Sequence, residues 1–204
     1  MTATSSLQDV LINGSAVVGA GTRATTFALE VNGDIGPRNA PVRGNITLSS
    51  TAIDSTGNVG QYASVRIAGD GLPVIAYYDA TNLDLKYIKC TNASCSTRIT
   101  QTLDSTGDVG QYASLRVYDD GSLGIAYYDV TNGNAKFLVC TSAADCAGTA
   151  TIRTIESTND IGQFISLAIG MDGDPIMSYF DATNSDLRVA KCADATCSSA
   201  TVTA

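Results

Sequence analysis

The chain has 204 residues, 44% of them apolar and 16% charged, enough apolar content to bury a core and too much for a disordered chain. Its net charge of −8 disfavours nucleic acid and anionic membrane surfaces as partners. It contains neither histidine nor tryptophan, so the commonest general base and metal ligand is missing.

Residues 1 to about 45 stand apart from the rest of the chain. Val17 to Thr22 and Phe27 to Ile35 read as short strands around an Asn-Gly turn, giving an extended arm or stalk. Residues 27–35 resemble segments that recur in the shafts of trimeric phage tail fibres, which implies a fibre-like partner arrangement. Gly36-Pro37 and Ala40-Pro41 punctuate a linker. The first residues lack the basic and apolar regions of a signal peptide, so export is expected to use another route or a leader outside this sequence. No stretch is apolar and long enough to span a bilayer as a helix.

From residue 46 the sequence is dominated by an internal repeat. Asp54-Ser-Thr-Gly-Asn-Val-Gly-Gln-Tyr-Ala-Ser-Val-Arg66 returns as Asp104-Ser-Thr-Gly-Asp-Val-Gly-Gln-Tyr-Ala-Ser-Leu-Arg116. It returns again as Glu156-Ser-Thr-Asn-Asp-Ile-Gly-Gln-Phe-Ile-Ser-Leu-Ala168. The units run over about 54–103, 104–155 and 156–204, with Asp79, Asp129 and Asp181 closing an aromatic strand in each. Each unit parses into four short strands: in the second, Tyr112–Tyr118, Leu123–Tyr128, about Ala135–Cys140 and about Thr149–Ile155. Asn45–Ile53 aligns with the fourth strand of a unit and reads as one extra strand.

The first strands alternate. Ala63, Val65 and Ile67 share a face with their counterparts Ala113, Leu115, Val117 and Ile165, Leu167, Ile169. A lone four-stranded sheet cannot hide such a face, so neighbouring units must cover one another. The expected fold is therefore all-β, with four-stranded antiparallel units stacked as propeller-like blades. Three units and a spare strand are fewer than a closed ring needs, so completion by a homo-oligomer or filament is expected.

Gly-Gln-Tyr-Ala-Ser-Leu-Arg, Asp-Gly, Ile-Ala-Tyr-Tyr-Asp-x-Thr-Asn and Lys-Tyr-Ile-Lys-Cys together resemble a blade repeat of large secreted bacterial propeller proteins. Those blades are distantly similar to sialidase-type repeats. The resemblance covers roughly residues 54–204 and implies a propeller, a fold that hosts lectins, adhesins, scaffolds and enzymes alike. Sialidases use an arginine cluster, a Tyr nucleophile with a Glu partner, and an Asp acid/base. Here Arg66 and Arg116 are repeat-equivalent but the third copy has Ala168, the glutamates are Glu30 and Glu156, and the Asp-box is missing. No enzymatic activity is expected, since catalytic groups break repeat symmetry and none does so here.

Six cysteines fall as Cys90 with Cys95, Cys140 with Cys146, and Cys192 with Cys197, each pair between the third and fourth strands of a unit. Pairs a unit apart, without histidine, suit disulfides better than zinc and imply an oxidising, extracellular or cell- or virion-surface location. Asp70-Gly71, Asp120-Gly121 and Asp172-Gly-Asp174 suit hairpin turns better than calcium loops, so no cofactor is expected. Tyr77, Tyr127 and Tyr179, with Arg66 and Arg116, are the candidate ligand-binding residues, and a further aromatic row is formed by Tyr62, Tyr112 and Phe164. The sequence thus points to a structural or adhesive module of a surface fibre. The alternatives are a multivalent lectin for cell-surface glycan and, further off, a glycosidase.

Overall fold

The computed structural model describes residues 51–203. The chain divides into two units at Ser49/Ser50, and the second is the repeat body. The expected arm at 1–45 and most of the extra strand at 45–53 lie outside the described residues.

The body consists of three four-stranded antiparallel sheets, each built from consecutive strands. Sheet 1 holds β1 (Val59–Ile67), β2 (Pro73–Asp79), β3 (Asp84–Cys90) and β4 (Arg98–Asp104). Sheet 2 holds β5 (Val109–Val117), β6 (Leu123–Asp129), β7 (Asn134–Cys140) and β8 (Ala150–Glu156). Sheet 3 holds β9 (Ile161–Ile169), β10 (Pro175–Asp181), β11 (Asp186–Cys192) and β12 (Ala200–Thr203). A single turn of helix, α1 (Cys146–Thr149), interrupts the loop before β8. The sequence carries no helical periodicity there. The second cysteine pair is one residue further apart than the others, and Asp145 caps the slack by accepting a hydrogen bond from Gly148 N.

The first strands begin earlier than alternation alone suggests, at Val109 rather than Tyr112. The reason is a bulge inside the strand. Tyr62, Tyr112 and Phe164 adopt φ of 52°, 56° and 53°, and the pairing of β1 with β2, and of β5 with β6, shifts register across that bulge. A bulky residue in left-handed backbone costs on the order of 1–3 kcal/mol. The bulge breaks the period-2 pattern that sequence reading relies on.

The sheets stack face to face, with β5 against β1, β2 and β3, and β9 against β5, β6 and β7. The sheet 1/sheet 2 core contains Leu85, Tyr87, Leu115, Ile125, Tyr127 and Leu138. The sheet 2/sheet 3 core contains Phe137, Ile161, Leu167, Met177 and Tyr179. Each such side chain contributes roughly 1.5–3 kcal/mol when buried, which is what makes the sheets cohere. Each sheet therefore has an incoming face, which in sheets 2 and 3 packs on the preceding sheet, and an outgoing face, which in sheets 1 and 2 packs on the next.

The first strands lie at a sheet edge, where backbone N–H groups lack ladder partners. The neighbouring sheet supplies them. Leu115 N donates to Ser64 Oγ (3.1 Å) and Leu167 N to Ser114 Oγ (3.0 Å). Val109 N donates to Leu83 O and Ile161 N to Gly133 O, both at 3.0 Å. The approach is tightest at Gly110 and Gly162, where a Cβ would lie 2.7 Å from Leu85 Cα and 2.9 Å from Ala135 Cα. The Gly-Gln-aromatic motif thus needs its glycine for room as well as for a positive φ.

Candidate functional site

Three repeated assemblies concentrate the polar chemistry. In each, Asp79, Asp129 or Asp181 ends the second strand and turns the chain. Asp79 Oδ1 accepts from Thr81 N (3.0 Å) and Asn82 N (3.1 Å), and Oδ2 accepts from Asn82 Nδ2 (2.8 Å). Asn132 and Asn184 serve Asp129 and Asp181 in the same way. These are Asx turns, in which the side chain imitates a backbone turn. A second carboxylate comes from the chain just before the sheet, Asp54 ahead of sheet 1, Asp104 at the end of β4 and Glu156 at the end of β8: Tyr77 donates to Asp54 (2.6 Å), Tyr127 to Asp104 (2.7 Å) and Tyr179 to Glu156 (2.7 Å). A cation closes the set. Lys136 Nζ lies 2.8 Å from Asp104 and 3.6 Å from Asp129; Arg188 lies 3.0 Å from Glu156 and 2.9 Å from Asp181. Lys86 sits more loosely, 3.7 Å from Asp54 and 3.6 Å from Asp79.

The electrostatics follow from this geometry. The Tyr77 hydroxyl holds Asp54 below the usual carboxylate range, against a smaller opposing effect of burial. Burial pushes Asp104 up, but Lys136 and Tyr127 together outweigh it and its carboxyl is lowered. Burial and the facing carboxylates drive the phenols of Tyr77, Tyr127 and Tyr179 well above their ordinary range. Every buried polar side-chain atom among the described residues has a hydrogen-bond partner. In each set the phenol is held neutral against one carboxylate while the cation lies between that carboxylate and the turn aspartate. The set is a polar clamp joining each sheet to the segment before it, which for sheets 2 and 3 is the end of β4 and of β8.

The rings of Tyr77, Tyr127 and Tyr179 are buried, at 2%, 0% and 1% exposure, and of the three Tyr77 borders the hollow on sheet 1. Arg66 and Arg116 do not join them: each turns its guanidinium onto the carbonyl of the preceding residue, at 2.6 and 2.7 Å. The exposed aromatic surface lies elsewhere, on the bulge residues. Tyr62 and Tyr112 have ring centroids 4.5 Å apart, and Tyr112 and Phe164 4.6 Å. Tyr62 is 39% exposed and Phe164 66%.

Sequence reading passes over the cations of the clamps. Their signal is a basic residue seven positions after each turn aspartate, at Lys86, Lys136 and Arg188, where pairing sets them opposite Tyr77, Tyr127 and Tyr179. The six cysteines form the three expected disulfides, Cys90–Cys95, Cys140–Cys146 and Cys192–Cys197. The Asp-Gly corners are turns: Asp70 Oδ1 accepts from Leu72 N, Asp120 Oδ1 from Ser122 N and Asp172 Oδ1 from Asp174 N. Among the described residues, no group of three or more carboxylates and cysteines is placed to hold a metal ion.

A hollow of about 390 Å³ opens on the incoming face of sheet 1, lined by apolar side chains including Ala63, Val65, Ile75, Ile88 and Tyr77. Its counterparts on sheets 2 and 3 are filled by the preceding sheet. Val65 is 53% exposed where Leu115 and Leu167 are 0%.

No family model and no curated protein matches this chain. Among solved structures it is similar to a protein of unknown function from Dyadobacter fermentans DSM 18053, with 12% identity and a TM-score of 0.52. The likeness is one of fold. It covers 71% of this chain and 41% of the other, so the present chain spans less than half of that protein's length.

Proposed function

We propose that this chain is an extracytoplasmic structural or adhesive repeat module, one that works by assembling through the faces of its outer sheets into a propeller-like ring or a fibre. The observation that carries this reading is the incoming face of sheet 1. It has the composition of an inter-sheet core, yet Val65 and Ile67 are 53% and 59% exposed. A contiguous apolar face of this kind marks an interaction surface. Three disulfides fit an oxidising, extracellular or surface setting. The polar clamps argue for a scaffold rather than an enzyme, because their groups are spent on one another.

A multivalent carbohydrate-binding role is the second reading. It is favoured by the row of exposed Tyr62, half-buried Tyr112 and exposed Phe164, whose rings offer apolar faces to a sugar at repeated positions. Electron microscopy of the purified chain tests the first reading, which expects rings or filaments and fails if only single compact particles appear. A glycan array tests the second: binding that is lost in Phe164→Ala supports it, and an array without hits removes it.

A further inference from the structure

The two seams inside the molecule specify what a third would look like, and both halves of that third seam are present on the chain. At each internal seam a third-strand residue of the outgoing face, Leu85 or Ala135, presses its Cα against a glycine of the next first strand, Gly110 or Gly162. The corresponding glycine of sheet 1 is Gly60, with φ +91° and nothing within 4 Å of its would-be Cβ. The corresponding third-strand residue of sheet 3 is Leu187, which is 71% exposed. Ser166 stands where Ser64 and Ser114 accept from the next sheet, and it is exposed. Among the described residues, Val59 N and Val65 N have no partner equivalent to those of Val109 N and Leu115 N.

A further contact tells which occupant fits. Across the internal seams the Tyr78 hydroxyl donates to Asp108 (2.7 Å) and the Tyr128 hydroxyl donates to Asp160. In sheet 3 the tyrosine is Phe180, which has no hydroxyl, and in the loop before sheet 1 the aspartate is Asn58, which has no charge. Donor and anion are lost together. A tyrosine-bearing unit would find no carboxylate at sheet 1, and a loop bearing aspartate would find no hydroxyl at sheet 3. The two outer faces match each other better than either matches an internal unit.

We propose that the incoming face of sheet 1 receives the outgoing face of sheet 3 from a second copy of this chain, head to tail, with Leu187 seated on Gly60. Ser166 Oγ then accepts from Val65 N of the neighbour, and Ser185 O accepts from its Val59 N. Phe164 extends the aromatic row onto the neighbour's Tyr62. The inference rests on the assembly reading above and fixes its register. A head-to-tail contact uses two different surfaces, so it closes a ring or runs on as a filament.

The test uses two full-length variants, Leu187→Glu and Val65→Glu, each at a position already exposed in the single chain. Removing a buried leucine or valine and burying a carboxylate in its place weakens association by at least about tenfold, so each variant alone is expected to run as a single chain. An equimolar mixture is expected to form a one-to-one pair and nothing larger, because it keeps one intact face of each kind. Leu187→Met is expected to assemble like the parent. Ile67→Glu, at a neighbouring exposed position, replaces Val65→Glu should the latter fail to fold. Assembly that survives Leu187→Glu or Val65→Glu alone, or a mixture that stays monomeric, overturns the head-to-tail register and leaves the assembly reading standing. A parent chain that is monomeric at every concentration overturns both.

Discussion

Replacing Lys136 with methionine tests the reading of the polar clamps as structural. Lys136 Nζ lies 2.8 Å from Asp104 and 3.6 Å from Asp129, and both carboxylate side chains are only 2% exposed. Methionine keeps the stem that packs beside the Tyr127 ring and removes the charge. Two carboxylates are then left buried without a cation, a change that costs about 3–5 kcal/mol. For a body of this size that lowers Tm by roughly 6–20 °C. The same change at Lys86 is milder, roughly 1–2 kcal/mol. Its partners are 3.7 and 3.6 Å away, and Asp54 is 13% exposed. The pH dependence has a definite sign. In the parent, Asp104 is held below its ordinary value of 3.8, so its contribution is present above that pH and is lost as pH falls through the folded value. Without Lys136 the effect of burial, the largest acting on Asp104, meets weaker opposition, and protonation relieves the penalty. Urea denaturation of both variants and the parent at pH 7 and near pH 4 therefore expects a large gap that narrows on acidification. A loss under about 1 kcal/mol at pH 7, or a gap that does not narrow, refutes the clamp as described.

Further outcomes follow from individual contacts. Gly110→Ala places a Cβ 2.7 Å from Leu85 Cα as well as straining a φ of +104°, whereas Gly60→Ala meets open space at a similar φ. Thermal melts of the single chain should show the first losing at least about 2 kcal/mol more than the second. Ser114→Ala strands the N–H of Leu167 at a seam and should cost about 1–3 kcal/mol by denaturant titration; Ser166→Ala should cost less than about 0.5 kcal/mol when the chain is kept dilute. Each disulfide closes a sequence separation of only 5 or 6 residues, so replacing the Cys140–Cys146 pair by serines should lower stability by about 2 kcal/mol. A thiol titration of the denatured, unreduced protein should find no free cysteine. On the alkaline side, Tyr78 and Tyr128 are raised to about 12, by burial first and then by their bonds to Asp108 and Asp160. A raised phenol stabilises the fold below the unfolded value near 10 and withdraws that support as pH climbs toward 12, so melting temperature should fall steadily over that interval.

Most of the architecture is readable in the chain because the repeat preserves it three times over. The alternation of Ala113, Leu115 and Val117 locates the incoming face, and the turn aspartates locate the hairpins. The disulfide pairs follow from spacing. The features that escape sequence reading are those in which two distant residues answer one another. The left-handed aromatics Tyr62, Tyr112 and Phe164 look like ordinary strand residues, and their positive φ becomes visible only with the register shift beside them. Lys136 looks like a solvent-facing strand lysine until pairing sets it opposite Tyr127. Tyr77, Tyr127 and Tyr179 look like a repeated binding row, and burial turns them into clamp donors. The row of repeated aromatics that does reach the surface is the one on the bulges. Val65 makes the opposite point. It occupies the same repeat position as Leu115 and Leu167, and only the stacking order leaves it uncovered.

The mass of the intact chain in solution, measured by sedimentation or light scattering across a wide concentration range, decides whether the outer faces of sheets 1 and 3 meet between copies. A species heavier than one 21.0 kDa chain is expected, dissociating on dilution and lost in Leu187→Glu. A constant mass of 21.0 kDa at every concentration would contradict such a contact.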